Sequence, residues 1–149
     1  MRSPLTGGRV AVRDRVAGRR GMTRGMRANT RALAETLFTT SDGPPPAERL
    51  DWLVEDANDF IAQAGARARL VLWLCLTAIS LLAPLFALRL APFRWLSSET
   101  RTRALERMER SALGLAVFGA KAILCIVYYE HPDSARAIGY DALCLRANE

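Results

Sequence analysis

Residues 70–88 read LVLWLCLTAISLLAPLFAL, without a single charge, between Arg69 and Arg89. As a helix this stretch is ~28 Å long at ~1.5 Å per residue, close to the ~30 Å hydrocarbon core of a bilayer. A chain that carries such a segment must either place it in lipid or cover it with other helices. Pro84 is expected to kink or end the helix. Arg89, Arg94 and Trp95 follow it. That sequel suits a membrane interface, and it equally suits the rim of a protein core where long side chains snorkel.

The flanking sequence supplies helices that can do the covering. Over residues 47–64, Leu50, Leu53, Val54, Ala57, Ile61 and Ala64 recur at helical spacing, with Glu48, Asp51, Glu55 and Asp59 on the opposite side. A carboxylate row with no histidine among it reads as the wet side of an amphipathic helix rather than as a metal site. Trp52 stands among the acids, off the apolar stripe, and is a candidate partner contact. Ser97 or Ser98 with Glu99 announces a further helix, predicted as one rod over residues 98–129. Its apolar seam is Leu105, Met108, Ala112, Leu115, Gly119, Ala122, Ile126 and Tyr129, at alternating steps of three and four. Glu99–Arg103 and Glu106–Arg110 have the spacing of favourable helix pairs. Lys121 is the one charge in the second half of that rod, and a lone lysine disfavours lipid on its face. With Tyr128, Tyr129 and Tyr140 it joins the candidate partner-binding residues.

Local punctuation separates these pieces. Asn29 or Thr30 can cap a short helix over residues 31–38, with Leu33 and Leu37, and Phe38 at its end, on the apolar edge. TTSDGPPP, residues 39–46, breaks it. Pro132 can open a last short helix and Gly139 can close it. His131 is the only histidine and reads as a cap or surface residue. Leu143, Cys144 and Leu145 are expected to dock back on the body.

Composition settles where the charge lies. The net charge is +6, but residues 1–31 hold nine arginines against Asp14, a balance of +8, and the remainder balances at −2. The basicity belongs to a Gly- and Arg-rich arm, residues 1–28, expected to be disordered and solvated. Met22 and Met26 within it are alternative starts. Twenty of the 21 basic residues are arginine, in keeping with a GC-rich bacterial genome. Arg19-Arg20 is not followed by the apolar segment a signal peptide needs, so export on a twin-arginine signal is not expected. Cys75, Cys125 and Cys144 make neither a disulfide framework nor a zinc site. The chain shows no dinucleotide fingerprint, phosphate loop, metal cluster or nucleophile–base pair. No catalytic, cofactor-binding or metal-binding residue is assigned. Nucleic-acid binding is not expected either, because no aromatic residues interleave with the arm and no recognition helix follows it.

Three pieces, taken in order, resemble a known family. The first is Arg31-Ala32-Leu33-Ala34-Glu35-Thr36-Leu37-Phe38 with TTSDGPPP and an amphipathic helix after it. The second is the Arg-flanked apolar helix leading to Phe93-Arg94-Trp95-Leu96-Ser97 and then to Arg103-Ala104-Leu105-Glu106-Arg107-Met108-Glu109-Arg110-Ser111. The third is Lys121-Ala122, then Tyr128-Tyr129-Glu130-His131-Pro132 and Ala137-Ile138-Gly139-Tyr140-Asp141. Over roughly residues 30–141 the chain resembles the small accessory subunit of glucose–methanol–choline-type flavin dehydrogenases. It is also similar to the helical region that precedes the flavin domain in long-chain alcohol oxidases. The resemblance implies a helical, non-catalytic subunit that supports a flavoprotein, with the flavin on a partner chain.

The expected fold is therefore all-α. It is a small bundle of four to five helices around an apolar pair, 70–88 and 98–129, in a single domain over residues 29–149. The expected function is an accessory role toward a flavin-dependent oxidoreductase, at a bacterial inner membrane or its cytoplasmic face. The competing expectation is a small integral membrane protein, a helical hairpin with spans near 70–92 and 111–129.

Overall fold

Helix α1 (Arg24–Phe38) starts where Thr23 can cap it, its Oγ1 accepting from the Met26 amide at 3.3 Å. The computed structural model describes residues 21–140, and among these there are six α-helices, one 3-10 turn and no β-strand. The early start of α1 corrects the expected boundary at residue 28. Met22 is buried, and its amide donates to Asn58 Oδ1 at 2.7 Å. Thr30, expected as a cap, is mid-helix and buried. Residues 21–28 thus belong to the bundle, because one apolar side chain ahead of a cap anchors the helix start. The disorder expected for residues 1–20, and the docking of Leu143, Cys144 and Leu145, lie outside the described residues.

The breaker after α1 is a tight turn. Thr40 and Gly43 exchange both backbone hydrogen bonds, at 3.0 and 3.1 Å, and Gly43 takes φ 113°, a conformation that suits glycine. Pro46 then leads into α2 (Ala47–Gln63), which turns Leu50, Leu53, Val54, Ala57 and Ile61 inward. On its other side Asp51 accepts from Arg31 at 2.8 Å and Glu55 pairs with Arg27. Two carboxylates of the acidic row therefore tie α2 to α1.

Helix α3 (Ala66–Phe86) holds the apolar run. Leu72, Leu76, Ile79 and Ala83 face the core. Pro84 is buried in the last turn, and the helix continues past it. The end is a Schellman arrangement, with the Leu88 amide bonded to Leu85 O and the Arg89 amide to Pro84 O, both at 3.0 Å. A 3-10 turn, Phe93–Trp95, drops Phe93 into the core against α1 and α3.

The rod predicted over residues 98–129 is two helices, α4 (Ser98–Glu109) and α5 (Gly114–Glu130). Ser97 caps α4, accepting from the Thr100 amide. At the break, Ser111 Oγ donates to Met108 O at 2.7 Å and accepts from the Leu113 amide at 3.1 Å. These local bonds compete with helix continuation. The break resets the helical phase. Leu105 and Met108 of the predicted seam are buried, but Leu115 is 80 % exposed, and Ile126 and Tyr129 are exposed as well. The buried line of α5 is Val117, Ala120, Leu124, Val127 and Tyr128. Glu99–Arg103 forms, whereas Glu106–Arg110 is not among the described ion pairs. The helix count rises accordingly from four or five to six.

Helix α6 (Pro132–Ala137) begins at His131, whose Nδ1 accepts from the Asp133 amide at 3.2 Å. It ends with Gly139 at φ 77° and with the Tyr140 amide on Ala135 O. The core lies where α4 and α5 pack on α3, with α1 and α2 closing the remaining sides.

Candidate interaction surfaces

The aromatic end of α5 meets the end of α1. Tyr128 stacks face to face on Phe38, ring centroids 3.9 Å apart and planes 7° from parallel. Tyr129 sets its edge against both rings, at 5.3 Å from Tyr128 and 6.3 Å from Phe38. Together with the Thr40–Gly43 turn, the three prolines and α6, these rings wall a groove of about 470 Å³. Two polar side chains in its lining lack hydrogen-bond partners among the described residues. Ser134 Oγ is fully buried, and Arg49 Nε is buried while its Nη2 stands 3.8 Å from Asp133 Oδ2. Such orphans call for a partner. Ser134 makes no hydrogen bond to His131, whose Nδ1 is taken by the Asp133 amide.

The five residues singled out from sequence separate in space. Tyr128 and Tyr129 line the groove, but Tyr128 is buried and only Tyr129 offers its ring outward. Tyr140 is exposed and closes the α6 cap through its backbone. Trp52 is half-buried, edge-on to His131 with centroids 4.9 Å apart. Lys121 pairs with Glu109 across the α4–α5 turn and belongs to neither the groove nor the tyrosines. Sequence reasoning placed Phe38 only at the apolar end of the first helix and missed Arg49 and Ser134. The proline run beside an aromatic helix end was the available signal, since a stiff loop next to stacked rings leaves a permanent cleft.

The second surface is apolar. Only 28 % of the most apolar 18-residue window of α3 is buried, and α3 is the one helix among the described residues long and apolar enough to cross a membrane. Leu70, Val71, Leu74, Leu81 and Leu85 point outward. On α5, Leu115, Phe118 and Ile126 are also exposed, on the side that borders α3 where Gly119 meets Cys75. Leu88 and Leu90 protrude at the end of α3, the latter fully exposed, and Arg94 lies over the exposed Trp95 ring at 5.5 Å. Patches of this extent mark protein or membrane contacts.

No metal-like group of three His, Cys, Asp or Glu side chains occurs among the described residues. Cys125 is half-buried; burial pushes its thiol up from the ordinary value, and Lys121 pulls it partly back. Comparison with family models, with curated proteins and with solved structures returns no match.

Proposed function

We propose that this chain is a non-catalytic accessory subunit that binds a flavin-dependent oxidoreductase of the glucose–methanol–choline type and holds it at a membrane. The observation that carries the reading is the uncovered apolar surface on α3 and α5 of a chain whose core is otherwise closed. A fold that leaves this much apolar area in water is completed by another surface. The resemblance of residues 30–141 names the partner class. The groove beside Tyr129, with the orphaned Arg49 and Ser134, is the place for the flavoprotein.

Affinity purification of the tagged full chain from its native cells tests the reading. The expected result is a larger flavin-containing chain in stoichiometric amount, with the accessory chain alone colourless and unable to reduce dyes. Flavin bound to the isolated chain, or turnover without a second polypeptide, overturns it. The length of α3 favours a second reading, a small integral membrane protein with no enzyme partner. A chain that resists carbonate extraction and brings down no flavoprotein supports that reading instead.

A further inference from the structure

We infer that the protein lies by one side on an anionic bilayer surface, with α3 flat in the headgroup–acyl boundary and not across the membrane. The inference rests on the membrane placement proposed above and adds its geometry. A spanning helix is apolar all round, or is packed on other spanning helices. Helix α3 is apolar all round over residues 70–86, but it packs on α4, which is too short and too charged to span beside it. Its outward stripe of Leu70, Leu74, Leu81 and Leu85 is lipid-compatible, and its other side is shared between the charge-rich α4 and the apolar α5, whose only charges are Lys121 and Glu130. Arg107 of α4 donates to Phe86 O at the C-terminal end of α3, at 2.9 Å, and Arg103, Glu106 and Arg110 stand exposed on the same helix. At the other end, Leu70 and Trp73 share a cleft of about 510 Å³ with Met22, Met26 and Ile61 of the α1–α2 layer. Threading α3 through a bilayer would carry the charges of α4 into hydrocarbon. Laying the bundle on its α3 side buries the stripe and keeps those charges in water.

Two further observations favour a lipid occupant. Arg67, Arg69, Arg89 and Arg94 bracket the stripe and have no carboxylate partner among the described residues; Arg24, Arg107 and Arg110 also lack one, while Arg27, Arg31, Arg49, Arg101, Arg103 and Arg136 each have one. Unpaired cations at both ends of an apolar stripe complement anionic headgroups. The second observation is Leu88, the only non-glycine with positive φ among the described residues, at 54°, and 84 % exposed. The left-handed region disfavours leucine, and water disfavours its side chain. A leucine held there against both costs, beside Leu90 and the Arg94–Trp95 pair, is placed to enter an interface.

The test uses the full chain diluted from detergent into vesicles of phosphatidylcholine, with or without one-third phosphatidylglycerol. Binding to the anionic vesicles is expected to be at least tenfold tighter and to weaken with salt. Reporter tryptophans replace Leu74, Leu81 and Leu85, one at a time, in a chain with Trp52→Phe, Trp73→Phe and Trp95→Phe, which removes all three native tryptophans. Brominated lipids should quench all three at one shallow depth. Leu88→Gly should raise the melting temperature while weakening vesicle binding about tenfold, the loss of one buried leucine. A quenching depth that grades along the helix would show a spanning α3 and overturn the inference. Absence of vesicle binding, with flavoprotein co-purification intact, would make this face a protein contact and also overturn it. Shallow, uniform vesicle binding without any flavoprotein would leave the inference standing and remove the accessory reading.

Discussion

The Arg101 guanidinium donates to the Ala32 carbonyl at 2.7 Å across 69 residues of chain, and it reaches Glu35 Oε2 at 3.3 Å. Among the described residues it is the one buried charged side chain, 6 % exposed, and it clamps α4 to α1. Removing it leaves the Glu35 carboxylate partly buried without its cation. Arg101→Leu is expected to lower stability by about 1–3 kcal/mol, with Arg101→Lys recovering only part because an ammonium lacks the guanidinium fork. Urea midpoints of the three proteins check this. Equal midpoints would show that Arg101 is not a clamp.

Truncation locates the true start of the bundle. A chain lacking residues 1–25 loses the buried Met22 and the Thr23 cap. Relative to a chain lacking only residues 1–20, it should be less stable by about 2.5–4 kcal/mol, from a cap worth ~1 and a buried methionine worth ~1.5–3. Thr23→Ala alone should account for the smaller share. Circular dichroism melts that superimpose would restore a helix start near Asn29.

Gly114 tests the break between α4 and α5. A methyl group there would stand 2.4 Å from the Glu109 carbonyl oxygen, a backbone atom that cannot step aside. Helix propensity alone favours alanine over glycine by ~1 kcal/mol. Steric crowding should win, so Gly114→Ala is expected to destabilise by about 1–3 kcal/mol. A stabilised variant would mean that the chain can run on as the single rod predicted from its sequence.

Gly119 and Lys121 report on the rotation of α5. A methyl at Gly119 would touch Cys75 Sγ at 3.5 Å, an ordinary contact. Gly119→Ala should be tolerated, while Gly119→Leu overpacks the α3–α5 junction at a cost of about 1–3 kcal/mol. Lys121 is 42 % exposed and only paired with Glu109 at the surface, so Lys121→Leu should cost less than ~1 kcal/mol. The reverse order of the two leucine variants in a thermal melt would place the faces of α5 wrongly.

What the sequence determined is local. The inward face of α2 follows from its period, a cap at Ser97 or Ser98 and the Pro132-to-Gly139 closure from residues that act on their own backbone, and the TTSDGPPP turn from Gly43 and three prolines. Each depends on bonds within a few residues, so no tertiary contact was needed to read it. The tertiary structure decided where distant segments meet. Met22 extends α1 backward only because Asn58 and the core receive it. The break at Ser111–Gly114 costs one residue pattern its phase, and so the predicted seam residues Leu115, Ile126 and Tyr129 turn outward while Val117, Leu124 and Tyr128 turn in. Periodicity reports that a helix has two faces, but it cannot carry phase across a break. Nor can it say which side of an all-apolar helix such as α3 the other helices will cover. That choice is a competition between packing surfaces, and it left Leu74, Leu81 and Leu85 uncovered while Leu72, Leu76 and Ile79 were buried.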